Sequence, residues 1–190
     1  MAGAVAEPFL MPVEDVFCLQ QGRVVMATGR IERGRVRKGD AVEIIGLGGS
    51  ATAHIADIEQ NHMSIEEARA EMNVGVLLRG IAADAIERGQ VIAAPESVSA
   101  HTGFSGITLL SEEQGGADVV SGDRLCVHAR TAAVLGTVTL PEGVHIVRPL
   151  HGAEVTVVLE EPVALEEGQS FAFRYHGRAA GSGTVIELLL

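Results

Sequence analysis

Two carboxylates stand side by side near the start of the chain, Glu14 and Asp15, and adjacent acids suggest the paired carboxylates of general acid–base chemistry. Consecutive residues of an extended segment point to opposite faces, so these two cannot flank one bond. Seven histidines, His54, His62, His101, His128, His145, His151 and His176, are scattered without H-E-x-x-H or H-x-H spacing. Cys126 and His128 form a two-ligand pair with no evident partner, short of the ligand set a zinc ion needs. No serine sits in a G-x-S-x-G elbow, and no G-x-x-x-x-G-K-[ST] loop is present to cradle phosphates. These residues point to a protein that is not an enzyme and uses neither a metal nor a cofactor.

Composition narrows the class further. Of the 190 residues 47% are hydrophobic and 21% charged, enough apolar surface to offset the entropy of ordering one large domain or two smaller ones. The formal charge of −11 works against autonomous binding to nucleic acid, whose affinity comes largely from Lys and Arg displacing counterions. Any RNA contact must therefore be local, and DNA is not an expected partner. Aromatic content of 3% leaves no interleaved aromatic and basic residues of a general single-strand binder. Cys18 and Cys126, far apart and outside any C-x-x-C motif, read as two reduced, buried thiols. The start MAGAVAEPFL has no basic residue and no sustained apolar run, and no segment is apolar for long enough to span a bilayer. A soluble, cytoplasmic protein with no membrane partner is expected.

The elements that must carry these residues are strands. Short apolar runs recur between turn residues, with period-2 alternation at 24–27 and 155–159, and Gly22, Gly34, Gly39, Gly46, Gly48 and Gly49 punctuate the first part as in a chain of hairpins. Residues 64–71, SIEEARAE, are the exception: Ser64 and Glu67 have the spacing of a capping box, which predicts one or two helical turns. A second short turn is expected at 84–88, ended by Gly89 in the left-handed conformation. Residues 94–102, APESVSAHT, read as a linker. Beyond it, strands are expected at 107–110, 125–127, 134–140, 154–159, 171–175 and 184–190. Pro141-Glu142-Gly143 and Glu166-Glu167-Gly168 are the expected turns among them. Glu32-Arg33 and Glu87-Arg88, each followed by glycine, read as barrel turns. So many short antiparallel strands avoid exposed edges most simply by closing into barrels, and the expected fold is all-β: two tandem antiparallel β-barrels, at 8–95 and 101–190.

Particular residues then carry a family likeness. Pro8-Phe9-Leu10, Glu14-Asp15-Val16-Phe17, Thr28-Gly29-Arg30, Glu32-Arg33-Gly34, the run from Asn73 to Gly80 and Glu87-Arg88-Gly89-Gln90-Val91 resemble the second domain of elongation factor Tu at matching spacings. His101-Thr102, Leu140-Pro141-Glu142-Gly143-Val144 and Gly177-Arg178 extend a looser resemblance into that family's third domain. The family's GTP-binding domain has no counterpart in these residues. The resemblance implies a pocket for the aminoacylated 3′ end of tRNA. Glu14 and Asp15 match the acidic pair beside that pocket; Phe17, Thr28 and Asn73 match positions near it. Arg23 matches an arginine of the first hairpin, across one extra residue, and Glu59 an acid on the opposite wall.

Departures from the family pattern weaken the expected grip. Beyond Glu59, where the family usually has an aromatic or histidine and then a basic residue, this chain has Asn61 and His62. A neutral imidazole cannot replace a forked, permanent charge. In the second barrel Gly115-Gly116 is followed by Ala117-Asp118 instead of a basic run, and Leu125, Cys126, Val127, His128 and Ala129 occupy the positions ahead of Arg130-Thr131. The resemblance thus implies a non-catalytic, translation-related module that binds the 3′ end of aminoacyl-tRNA weakly on its own. The alternative is a protein- or inhibitor-binding mimic of the translation factor's surface, and a further one is a chain that works with a GTPase domain supplied in trans.

Overall fold

The computed structural model describes residues 7–22, 24–110 and 118–189, and the chain divides into two compact units at Val98/Ser99. The first unit holds β1 (Leu10–Pro12), β2 (Asp15–Leu19), β3 (Val24–Arg30), β4 (Arg35–Arg37), β5 (Ala41–Gly46), β6 (Gly49–Gln60), β7 (Met63–Ile65), β8 (Glu67–Arg69), β9 (Asn73–Arg79) and β10 (Val91–Ala93). The second holds β11 (Ser99–Leu110), β12 (Arg124–Ala129), β13 (Ala132–Thr139), β14 (Gly152–Leu165), β15 (Ser170–Tyr175) and β16 (Arg178–Leu189). Both are all-β and antiparallel. Each of the six strands expected after the linker overlaps one of these six, with Leu140 just beyond β13 and Leu190 outside the described residues, and only two single 3₁₀ turns, at Gln20–Gly22 and Ala83–Ala85, interrupt the strands among the described residues.

In the first unit the strands follow the order β1-β10-β5-β6-β9-β3-β2, with β7 added beside β6. The two ends of that path are consecutive in the chain, and this continuity closes the sheet. Pro12 pairs with Val91 of β10, but two residues later Glu14 N–H donates to the Thr28 carbonyl at 2.9 Å and Asp15 pairs with Thr28 of β3. Leu10 adds a seam to the residues that follow β3, donating to the Arg33 carbonyl and accepting from Glu32 N–H. The crossing is tight: a Cβ on Gly29 would stand 2.2 Å from the Pro12 carbonyl oxygen. Met11, Val25, Ala27, Ile44, Ile55, Ile58, Val76, Leu78 and Ile92 fill the barrel.

The second unit is a closed barrel in the order β11-β14-β13-β12-β15-β16. Strand β13 alternates strictly between buried and exposed residues, the period-2 pattern of a wall with one face on the core. Phe104 and Phe171 meet edge-to-face at 4.8 Å inside, and Gly106 and Gly183 leave the space that the Phe171 ring takes up. The interior void measures about 10 Å³, roughly one water probe, so this barrel is a packed core and not a ligand chamber.

Three expectations are corrected. Residues 64–71 are not helical: Val36 of β4 and Ala68 of β8 are buried opposite each other in a two-stranded ribbon, and Ser64 and Glu67 serve partners outside the segment. The Ser64 hydroxyl donates to Asp57 and accepts from Lys38, while the Glu67 carboxylate pairs with Arg37. Tertiary pairing thus overrides the local capping signal. The linker is shorter than expected, because Ser99 to Thr102 belong to β11, and Glu96 N–H is tied to the Glu43 carboxylate at 3.0 Å. Cys18 is exposed, not buried, since it lies on β2, which pairs with β3 alone in the sheet, and Cys126 is half-buried. At 84–88 the turn is a 3₁₀ turn over Ala83–Ala85, and Gly89 has a φ of 102°.

The crossing predicts that Gly29→Ala destabilises the first unit by about 2–4 kcal/mol, because Cβ meets backbone that cannot move aside. Urea titration should show this as a lower midpoint for the first unit, with the second unit's transition unmoved.

Candidate functional site: a carboxylate-rimmed groove on the first barrel

The outer face of the first barrel is assembled from strand register. Val25 and Ala27 point inward, so Met26 and Thr28 point out. Asp15 lies opposite Thr28, Thr28 opposite Gly75, and Gly75 opposite Glu59, which makes one row across β2, β3, β9 and β6. Gly75 is the gap in that row. Its absent side chain leaves a depression between Thr28 and Glu59, partly covered by Met26, whose sulfur lies 3.1 Å from where a Cβ would stand. The result is an open groove of about 390 Å³, lined by Glu14, Met26, Thr28, Gly29, Glu59, Asn61, His62, Asn73, Val74 and Gly75. That size lies within the usual range of ligand pockets, about 300–1,000 Å³.

Glu59 reaches this face through a bulge. Ala53 and Ile55 are buried at odd positions, and strict alternation would send Asp57 and Glu59 inward after them. Between Ile55 and Asp57 the register to β9 shifts by one residue, so Ile58 takes the buried position and Asp57 and Glu59 turn outward. At the end of β6, Asn61 and His62 form a two-residue hairpin turn with φ of 52° and 62°, the positive values of a type I′ turn. Asparagine tolerates that conformation, which gives Asn61 a backbone reason to be there as well as a place at the rim.

A polar cluster supports the hairpin from behind. The Asp57 carboxylate accepts from the Ser64 hydroxyl at 2.7 Å and from Ile58 N–H at 2.8 Å, and Lys38 Nζ lies 3.1 Å away. The Ser64 hydroxyl, then the Lys38 ammonium, hold the Asp57 carboxyl below its ordinary range, and hydrogen bonds to Glu66 and Asp57 raise the Lys38 ammonium above its own. On the other wall, Arg88 donates to the Glu14 carbonyl at 3.0 Å and so fixes the rim segment.

The groove has a definite charge character. Glu14 and Glu59 contribute two carboxylates, Thr28, Asn61 and Asn73 neutral polar groups and His62 an imidazole, and none of the described lining residues is a lysine or arginine. Such a lining suits hydroxyl, amide and ammonium donors and disfavours a phosphate. On the second barrel, Cys126 Sγ and His128 Nε2 are 3.6 Å apart, and burial followed by the Arg174 charge pushes the His128 imidazole below its ordinary value, which keeps it neutral at pH 7. No third ligand joins them among the described residues.

Residues 25–93 match elongation factor Tu domain 2, and residues 97–189 match the elongation factor Tu C-terminal domain. The chain belongs to the elongation factor Tu family. Neither match is to that family's GTP-binding domain. The domain 2 match spans the strands that build the groove floor, β3, β6 and β9, whereas Glu14 and Asp15 precede it.

Of the residues singled out in the sequence, the fold brings Glu14, Thr28, Glu59 and Asn73 together around the groove. Asp15 and Phe17 do not line it; they stand beside it on the same face, Phe17 opposite Met26 and 46% exposed. Arg23 lies outside the described residues, as do Gly115, Gly116 and Ala117. Met26, Gly29, Val74 and Gly75 line the groove without having been singled out as site residues. The alternation of β3 pointed to Met26, and a glycine inside an apolar strand is itself a sign of close approach, which pointed to Gly75.

The Asp57 cluster predicts an acid-sensitive hairpin. A carboxyl held below its unfolded value contributes stability that is complete above about pH 4 and disappears as pH falls through the folded value. Asp57→Asn should therefore flatten the loss of stability between pH 5 and 2, by under about 1 kcal/mol because the side chain is one-third exposed. Urea midpoints measured across that range for both proteins check the difference in slope.

Proposed function

We propose that this protein is a non-catalytic, translation-related binding module whose first barrel holds the aminoacylated 3′ end of tRNA. The observation that carries the reading is the convergence of Glu14, Thr28, Glu59 and Asn73 on one groove. These residues come from the β1–β2 crossing, β3, β6 and β9, and nothing in the packing of the core requires polar side chains at all four. A terminal nucleoside offers ribose hydroxyls and base amino groups, and an esterified amino acid offers an ammonium; both are donors to carboxylate and amide oxygens.

The same lining limits the strength of binding. With no lysine or arginine among the described lining residues, affinity depends largely on the nucleoside and the amino acid, and deacylation removes the ammonium that the carboxylates would attract. This reading carries a cytoplasmic location with it, where charged tRNA is found. The carboxylate-rimmed groove also favours a second reading, a mimic of the translation factor's surface that takes a neutral or cationic small molecule or a protein of the translation apparatus.

Equilibrium binding to aminoacylated and deacylated tRNA at low and moderate salt separates them. We expect weak, selective binding of the acylated form, reduced roughly tenfold or more by Glu14→Ala and Glu59→Ala. Gly75→Val should fill the groove by displacing the end of Met26 and weaken binding about tenfold or more with little change in stability. Absence of binding at protein concentrations approaching a millimolar would remove the tRNA role and leave the second reading.

A further inference from the structure

The chain has fourteen basic residues, and six of them, Arg30, Arg33, Arg35, Arg37, Lys38 and Arg69, fall on β4, β8 and the segments flanking them. Against an overall charge of −11 this is a strong local concentration. Most of it is neutralised: Arg30 pairs with Glu71, Arg37 with Glu67, and Lys38 with Asp57 and Glu66. Arg35 and Arg69 are different.

The β4–β8 register sets Arg35 directly opposite Arg69, with Val36 opposite Ala68 and Arg37 opposite Glu67. Val36 and Ala68 are buried, so the other four side chains share the outer face. Ala70 N–H donates to the Gly34 carbonyl and Lys38 N–H to the Glu66 carbonyl, two residues to either side of the Val36/Ala68 pair. By the alternation of an antiparallel ladder, Arg35/Arg69 and Arg37/Glu67 are the pairs without their own backbone bonds, whose side chains stand closest. Like charges directly opposite are destabilising. One carboxylate serves this square: Glu67 bonds Arg37 through one oxygen and lies 3.4 Å from Arg69 through the other, and Arg35 has no ion pair among the described residues. All three guanidiniums act on Glu67, with Arg37 the largest influence.

Arg35 and Arg69 also line an open groove of about 410 Å³, with Gly34, Glu67 and Glu7. Gly34 is its fixed point: it has a φ of 72°, and a Cβ there would meet the Glu7 carbonyl and Phe9 N at 2.6 Å. In the lining two arginines face Glu67 and Glu7, and because Glu67 is shared with Arg37, the Arg35 and Arg69 guanidiniums are incompletely satisfied. Each guanidinium presents a fork of N–H donors that matches a phosphate bidentately.

We infer that Arg35 and Arg69 form a docking site for one backbone phosphate of the RNA strand whose 3′ end occupies the carboxylate-rimmed groove. The inference rests on the tRNA reading above. Asn73, on the rim of that groove, is only four residues from Arg69, so their Cα atoms lie within about 14 Å; Arg30, opposite Asn73, is five residues before Arg35. A strand seated in a groove with no lysine or arginine among its described lining residues needs its phosphates met elsewhere, and the β4–β8 ribbon offers two opposed, incompletely paired arginines.

The test is binding of an aminoacylated RNA hairpin with a single-stranded CCA end, from 50 to 200 mM salt, to the full chain and to two variants with matched thermal melts. Arg35→Gln combined with Arg69→Gln should weaken binding about 3- to 10-fold at the lowest salt and make the log–log salt slope shallower by about 0.7, the value for one single-strand phosphate. Gly75→Val should weaken binding at every salt concentration without altering the slope. If the arginine variant keeps wild-type affinity and slope while Gly75→Val loses binding, the phosphate site is wrong and the groove reading stands. If wild type and Gly75→Val bind alike, or neither binds, the groove reading fails and this inference with it. Polyglutamate binding that depends on the two arginines, with RNA binding unaffected by them, would assign the pair to an acidic protein and overturn the proposal.

Discussion

The contact of the Pro12 carbonyl with the bare backbone of Gly29 is the constraint on which the first barrel depends. There one continuous segment leaves β10 and joins β3, and no side chain larger than hydrogen fits between the two strands. Closure by a partner switch, in place of an added strand, satisfies the backbone groups at both ends of the path: Val13 bonds to Gln90 and Glu14 to Thr28. It also brings Glu14 to the rim beside Thr28. Without the crossing, the groove would have the Glu59 wall and no opposing one.

The two barrels use glycine for different ends. In the second, Gly106 and Gly183 yield volume to the Phe171 ring, and the interior closes to about 10 Å³. In the first, Gly75 yields surface volume, and the space remains open to solvent with carboxylates on its rim. Omission of a Cβ thus produces packing density in one unit and a recognition surface in the other. Charge on the first barrel is likewise divided, with acids at the groove and arginines on the β4–β8 ribbon. Under the proposed function that division separates recognition of the nucleoside from that of the strand carrying it.

Much of this was legible in residue order. Alternation and turn residues pointed to strands and the motif from Asn73 to Gly80 to the family, and the family resemblance implied that Glu14, Thr28, Glu59 and Asn73 share a pocket. The failures have specific causes. Ser64 and Glu67 carry the spacing of a helix cap, but Lys38, Asp57 and Arg37 compete for their side chains, and burial of Val36 against Ala68 favours a ribbon. Cys18 read as a reduced, buried thiol, yet β2 lies at the end of the sheet path and leaves it exposed.

Glu59 marks the boundary between the two kinds of information. The order of residues favours a strand in the first part of β6, because Ala51, Ala53 and Ile55 recur at a period of two, a property of the local chain. Which way Glu59 faces was decided by the bulge at residue 56, since the phase of a strand depends on its partner's register and can be shifted by a single extra residue. The closeness of Arg35 to Arg69 is of the same kind. Local propensity acts over a few residues and can be read in order, whereas register joins residues 34 positions apart in sequence and exists only once the strands have paired.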